Sequence, residues 1–224
     1  MVDIHTHVLQ GVDHGANNLT DSLKMLKNLE ETGITKIYCT SHYYSDSESS
    51  EEFRKRYDTA FEELKANYKG KIVLKKGAEV QLSPFFGVGG IDPALKLEDN
   101  DYMLVELPFW RKLPDWAFNA IERVVLSGIT PVIAHVERCL GARKKRIIKK
   151  LWKMGALMHV DSTSVGEDHF VDWCLKNGYV GIIASDYHVD IPYVPIEDAL
   201  CYVEDKFGKE FADYICSVPD KLLI

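Results

Sequence analysis

The stretch 130–184, TPVIAHVERCLGARKKRIIKKLWKMGALMHVDSTSVGEDHFVDWCLKNGYVGIIA, sets three short apolar runs at 130–134, 157–160 and 180–184. Aliphatic and β-branched residues crowd each run. The stretches between them, 142–154 and 167–177, carry helical spacing, so the pattern reads strand, helix, strand, helix, strand. A single helix between successive strands makes a parallel crossover. Repetition at about 25 residues per unit favours a closed or nearly closed barrel over an open sheet. Working outward, four more runs of the same kind stand at 2–5, 36–39, 71–76 and 102–106. Leu19, Leu23, Leu26 and Leu29 form a stripe behind Thr20, which reads as an N-cap. Ser49-x-x-Glu52 reads as a capping box ahead of Phe53, Tyr57, Ala60, Phe61 and Leu64. Pro114 opens a helix that Gly128 closes, and further helices are expected at 195–206 and, short, at 209–216. The segment 81–100, with Pro84 and Gly87-Val88-Gly89-Gly90, reads as a long loop. It lacks both the Walker lysine and GxGxxG spacing. One α/β domain over 1–224 is the expectation.

Composition narrows the function classes. The 224 residues are 46% hydrophobic and 27% charged, ordinary for a soluble globular chain. No apolar run reaches the ~20 residues that span a bilayer, and the first strand starts at residue 2, so neither a membrane anchor nor a cleaved leader is expected and the cytoplasm is the expected compartment. The five cysteines (39, 139, 174, 201 and 216) are scattered without CxxC, which argues for a reducing compartment. None has an arginine six positions on, so a thiolate phosphatase loop is absent. The net charge of −7 disfavours nucleic acid as a partner. One basic run opposes that balance: Arg143-Lys144-Lys145-Arg146 with Lys149-Lys150. It reads either as a solvated helix face or as a docking patch for an anionic partner.

The chemistry gathers where strands end. His5 and His7 end the first strand, two residues apart and so on one side of it. His42 follows the second, Glu79 the third, and Glu106 closes the fourth. His135 closes the fifth, and Asp186 and His188 the seventh. In a βα-barrel the C-terminal strand ends share one face, where active sites lie. So many carboxylates on a common face require cations, and mixed nitrogen and oxygen donors suit Zn, Mn or Fe better than Mg or Ca. More than one ion is expected.

MVDIHTH, GVDHG, TSHYY, GAEV, VELPF, GITPVIAHVER and IASDYH together resemble the PHP (polymerase and histidinol phosphatase) superfamily. Within it they are most similar to the bacterial protein-tyrosine phosphatases encoded with capsular and exopolysaccharide assembly systems. The resemblance implies a distorted (β/α)7 barrel of the PHP type with two or three Mn, Fe or Zn ions at the C-terminal strand ends. It assigns His5, His7, Glu79 and Asp186 to a first ion, and Glu79, Glu106 and His135 to a second. The third would take His42, His188 and position 14. Here the sequence departs from the pattern, with Asp13-His14-Gly15 where the family has Asp-Asp-Gly, and Asp13 is the alternative that could turn inward. Arg138 matches a phosphate-binding arginine, and Arg111 is the substitute considered for a second one that is missing after Asp186-Tyr187-His188. The implied reaction is phosphomonoester hydrolysis, with His42 or His188 as the side chains available for proton donation. The implied substrate is the phosphotyrosine tail of a membrane-associated tyrosine autokinase that controls polysaccharide export. A small-molecule phosphatase such as histidinol-phosphate phosphatase, a C–N hydrolase on the same kind of barrel, and a non-catalytic metal-binding module are the competing readings. His159 and His169 match no ligand position and are expected in structural or surface roles, although His159, beside Asp161, could stand behind the ligands. Tyr43, Tyr44, Phe109 and Trp110 fall in loops that could form an aromatic rim.

Overall fold

The computed structural model describes residues 1–108, 113–138 and 143–222. Its strands are β1 (Val2–Thr6), β2 (Lys36–Cys39), β3 (His42–Tyr44), β4 (Val73–Lys76), β5 (Glu79–Gln81), β6 (Tyr102–Glu106), β7 (Thr130–Ile133), β8 (Leu157–Asp161) and β9 (Val180–Ala184). They form two parallel sheets, ordered β1-β2-β4 and β3-β5-β6-β7-β8-β9. β1 and β9 are buried along their whole length, as parallel strands covered on both faces must be. The last strand returns to the first. The Asp186 amide donates to the His5 carbonyl at 3.0 Å and the His7 amide to the Tyr187 carbonyl at 3.1 Å. Buried Asp3 stitches the same seam, its Oδ1 accepting from the amides of His5 (3.1 Å) and Ser185 (3.2 Å).

Two strands run on past the ends expected for them, after a break in each. The second halts at Cys39 and resumes as β3, and the third starts at Val73, halts at Lys76 and resumes as β5. Tyr57 bridges the two breaks. Its hydroxyl donates to the Cys39 carbonyl at 2.6 Å and accepts from the Gly77 amide at 3.1 Å. The offset brings His42 into register opposite Glu79. Tyr57→Phe is expected to cost about 2 kcal/mol, because it strands a buried donor and acceptor. Urea unfolding measures this, and an unchanged midpoint would remove Tyr57 from that role.

The helices are α1 (Leu19–Glu31), α2 (Ser50–Asn67), α3 (Asp115–Leu126), α4 (Lys144–Lys153), α5 (His169–Lys176), α6 (Ile196–Phe207) and α7 (Lys209–Leu222). The capping box forms as read: Ser49 and Glu52 each satisfy the other's backbone amide. The α1 cap is Asn18 rather than Thr20, since the Asn18 side chain accepts from the Asp21 amide. α7 runs past its expected end at 216 and through Pro219, because Ala212, Ile215 and Val218 keep one face buried. Tertiary packing there outweighs the proline penalty.

Two cores result. The larger lies between strands and helices. The smaller joins Val2 and Ile4 of β1, Tyr38 of β2, Leu104 of β6, Val132 of β7 and Ile182 and Ala184 of β9. Glu106 and Asp186 follow Leu104 and Ala184 by two residues, the strand repeat, so they continue the inner rows beyond the apolar floor. In β1 the register slips between Asp3 and Thr6. Such a bulge re-aims side chains and lets His5 join that inner side directly after Ile4.

Candidate metal centre

His5, His7, Glu79 and Asp186 bring one ligand atom each into a single buried group. His5 Nε2 lies 3.1 Å from His7 Nε2, 3.2 Å from Glu79 Oε2 and 3.2 Å from Asp186 Oδ1. His7 Nε2 lies 3.3 Å from the same Glu79 oxygen and 3.2 Å from the same Asp186 oxygen. A point equidistant from atoms so spaced sits about 2 Å from each, the length of a Zn–N or Zn–O bond. Glu79 Oε2 and Asp186 Oδ1 are buried with no hydrogen-bond partner among the described residues. Buried acceptors left in that state are costly. The donor set therefore fits a metal ion.

Around Glu79 the pattern extends. Its Oε1 is 2.9 Å from His135 Nε2, and its Oε2 is 3.1 Å from His42 Nδ1. Glu106 reaches the same two imidazoles at 3.7 Å and 4.0 Å. His42, Glu79 and Glu106 form a second buried group, and His7, His42 and His188 a third. Burial and the neighbouring Glu79 charge push the Glu106 carboxyl up to about 7. Burial raises Glu79 as well, but His5, His42 and His135 outweigh it and hold that carboxyl well below its ordinary value. Burial lowers His42 and His188 to about 4, so near pH 7 both are neutral and offer the lone pairs that ligation requires. His135 and Asp186 also share a backbone signature, with φ of 28° and 48°. A non-glycine residue in the left-handed region costs about 1–2 kcal/mol. Such strain gathers at functional sites.

Asp13 and His14 divide their roles. Asp13 turns inward, its Oδ2 pairing with His7 Nδ1 at 2.9 Å and accepting from the His42 amide at 2.9 Å. Its Oδ1 accepts from the Gly15 amide at 2.8 Å. This contact fixes His7 with Nε2 facing the ligand group. His14 is exposed, and its ring stacks on His42 at 4.9 Å and His188 at 4.6 Å. In the third group, the imidazole beside those two is His7. Gly15 packs so tightly that a Cβ would stand 2.0 Å from the His7 carbonyl oxygen. Asp13→Asn is expected to weaken metal binding about 10–100-fold, the usual effect of losing a carboxylate behind a histidine ligand. His14→Ala should change it far less. Competition titration with a chromogenic chelator ranks the two, and the reverse order would make His14 the ligand.

Arg138 stands in a short turn (Val136–Arg138) after β7. Its Nη2 donates to Asp161 Oδ2 at 2.7 Å and also to Asp186 Oδ2. Burial lowers a guanidinium, but Asp161 and Asp186 outweigh it and hold this one above its ordinary value. The two printed bonds of this side chain, which is 39% exposed, both use Nη2, so Nη1 and Nε are further donors on it. Asp161, on β8, is the residue that sequence reasoning passed over. Its signal was the His159-x-Asp161 spacing, the same i, i+2 relation that marked His5 and His7. His159 is fully buried and accepts from the His135 amide at 2.8 Å, so it positions a ligand-bearing backbone and is not a surface residue. Tyr44 stacks on His42 at 5.3 Å, while the Tyr43 ring packs on Phe53. Arg111, Phe109 and Trp110 lie outside the described residues. Among the described residues, no helix is long and apolar enough to cross a membrane.

Comparison with known proteins gives a consistent result. The family model for "Capsular polysaccharide synthesis, CpsB/CapC" matches residues 1–224. The tyrosine-protein phosphatase YwqE of Bacillus subtilis is 30% identical over 94% of this chain and 86% of its own length. The tyrosine-protein phosphatase CpsB of Streptococcus agalactiae is 25% identical over 96% and 94%. A solved structure reported with YwqE from Bacillus subtilis and CpsB from Streptococcus pneumoniae, described as unique metal-dependent tyrosine phosphatases, superposes with a TM-score of 0.84. It shares 25% identity over 100% of this chain and 94% of that one.

Proposed function

Because the chain belongs to the CpsB/CapC family of capsular polysaccharide synthesis, we propose that it is a metal-dependent protein-tyrosine phosphatase. In this reading the two sheets, joined end to end and returned to β1 at Tyr187, make a distorted seven-stranded barrel over a single domain, 1–224. The observation that carries the proposal is the convergence of buried, hydrogen-bond-free Glu79 and Asp186 oxygens on His5 and His7, with Arg138 beside them.

His5, His7, Glu79 and Asp186 hold one ion, and Glu79 shares a second with Glu106 and His135. His42 and His188, with His7 or His14, hold any third. Ions so held, of the Mn, Fe or Zn kind, supply Lewis acidity and lower the pKa of water. The protein's own groups do the rest. Arg138, pinned by Asp161 and Asp186, offers Nη1 and Nε to phosphoryl oxygens, where a planar fork pairs two at once. Tyr44, stacked on His42, offers an aromatic face to the substrate ring. A phenolate leaves with a pKa near ~10, so little proton donation is needed. That suits a site whose His42 and His188 are neutral and committed to ligation. The substrate proposed is phosphotyrosine on the tail of a membrane-associated tyrosine kinase that governs capsular or exopolysaccharide export, met in the cytoplasm.

Hydrolysis of p-nitrophenyl phosphate by metal-loaded protein, with and without chelator, is the test. Chelator-sensitive turnover is expected, together with a preference for phosphotyrosine peptides over histidinol phosphate. Absence of turnover with Mn, Fe, Co and Zn in turn would overturn the proposal.

A further inference from the structure

Seven of the chain's 27 lysines and arginines fall within residues 143–153, a stretch without a single Asp or Glu, although the protein carries a net −7. Five of them, Lys145, Arg146, Lys149, Lys150 and Lys153, are exposed on α4. At 100° per residue they form one continuous arc on its outer face. Ile148 and Leu151 are buried on the opposite side. The arrangement is unfavourable to the helix itself. Lys145, Lys149 and Lys153, and likewise Arg146 and Lys150, set like charges at i, i+4. Three cations crowd the N-terminal turn, against the helix dipole. No carboxylate relieves them, since among the described residues no ion pair involves any of the five. Instead, Lys145 and Lys149 lie over the Trp173 ring at 4.9 and 5.8 Å, and Lys150 over Phe118 at 3.5 Å. Those aromatic faces spread the stripe without neutralising it.

Position gives the stripe a use. A helix that follows a parallel strand begins on the face where the strands end. α4 is the helix after β7, behind His135 and Arg138. The basic arc therefore starts on the face where the strands end and runs away from it for nine residues, about 12 Å at the helical rise. An extended peptide covers that length in about four residues. We propose that this stripe is the docking track for an acidic polypeptide segment flanking the phosphorylated residue, so that the enzyme reads its substrate chain by charge beyond the phosphate. The proposal rests on the phosphatase reading for the source of the anion. A membrane surface fits less well. The apolar side of α4 is already buried against the body, leaving Trp152 as the exposed apolar side chain on the helix.

The test is a triple charge reversal, Lys145→Glu with Arg146→Glu and Lys149→Glu, all at exposed positions outside the metal centre. Two phosphotyrosine peptides are compared, one with glutamates and one with neutral residues around the tyrosine, together with p-nitrophenyl phosphate. The variant is expected to lose about tenfold or more in kcat/KM for the acidic peptide through KM. The loss should fade as salt shortens the screening length, and the neutral peptide and the aryl phosphate should be unaffected. An unchanged ratio between the two peptides, whether both rates fall or neither does, overturns the proposal. So does salt-sensitive binding of the wild type to phosphatidylglycerol vesicles without discrimination between the peptides. Anisotropy of a fluorescent, glutamate-rich, phosphate-free peptide reads docking without turnover. Its binding to wild type and not to the variant upholds the track even if the phosphatase reading fails.

Discussion

Glu79→Gln is expected to abolish metal-dependent turnover, lowering aryl phosphate hydrolysis by about 10³-fold or more. Glu79 is fully buried, and its two oxygens meet four imidazoles: His5, His7 and His42 through Oε2 and His135 through Oε1. Among the described residues, no other one joins the first and second ligand groups. Glutamine keeps the shape but brings one amide nitrogen, which carries no lone pair for a metal, and removes the charge that balances the ions. Metal content after gel filtration should fall with activity. Because an ion that binds only the folded state raises stability by mass action, the wild type should gain thermal stability on metal addition and the variant should not. That control separates a lost site from a lost fold. A variant with full metal content and normal rates would remove Glu79 from the centre of the mechanism.

Arg138→Ala should lower kcat/KM by about 2–4 kcal/mol, roughly 30- to 1000-fold, with metal content preserved. The loss is expected to be in transition-state binding, since a guanidinium held at Nη2 by Asp161 and Asp186 still has Nη1 and Nε to donate to a phosphoryl group. Arg138→Lys should recover only part of the rate, because an ammonium cannot present a planar fork. Stability falls too, as Asp161 and Asp186 lose their shared counter-charge. The cost should stay below the ~3–5 kcal/mol of a fully buried pair, since the Arg138 side chain is 39% exposed and solvent screens it. Equal kcat/KM for wild type and Arg138→Ala would confine the arginine to that structural pairing.

Much of this centre can be read from local pattern. The His5-x-His7 pair, Glu106 and Asp186 stand at the ends of apolar runs whose length and spacing identify them as strands. Strand periodicity alone places such residues on a common face. The capping box at Ser49 and the helix opened at Pro114 are legible for the same reason, because their physics lies within a few residues. Asp13 shows the limit. Sequence offers two adjacent polar side chains, and local pattern does not say which of them turns inward. The choice is made by the His7 ring and the His42 amide, contributed by separate strands. The runs end at Cys39 and Lys76 in sequence, but the breaks that let both strands resume are silent there. They depend on a hydroxyl from α2, Tyr57, that reaches both backbones at once.

The sequence by itself determined the donor types, their places at strand ends, and therefore that cations must balance this face. Only the tertiary structure decided that Glu79 meets four imidazoles at once, that Asp13 and not His14 supports His7, and that Asp161 shares Arg138 with Asp186. Each of those outcomes depends on contacts between distant segments. His7 and Asp186, 179 positions apart, come within 3.2 Å only when the last strand hydrogen-bonds back to the first. A contact set by chain closure has no local pattern to announce it.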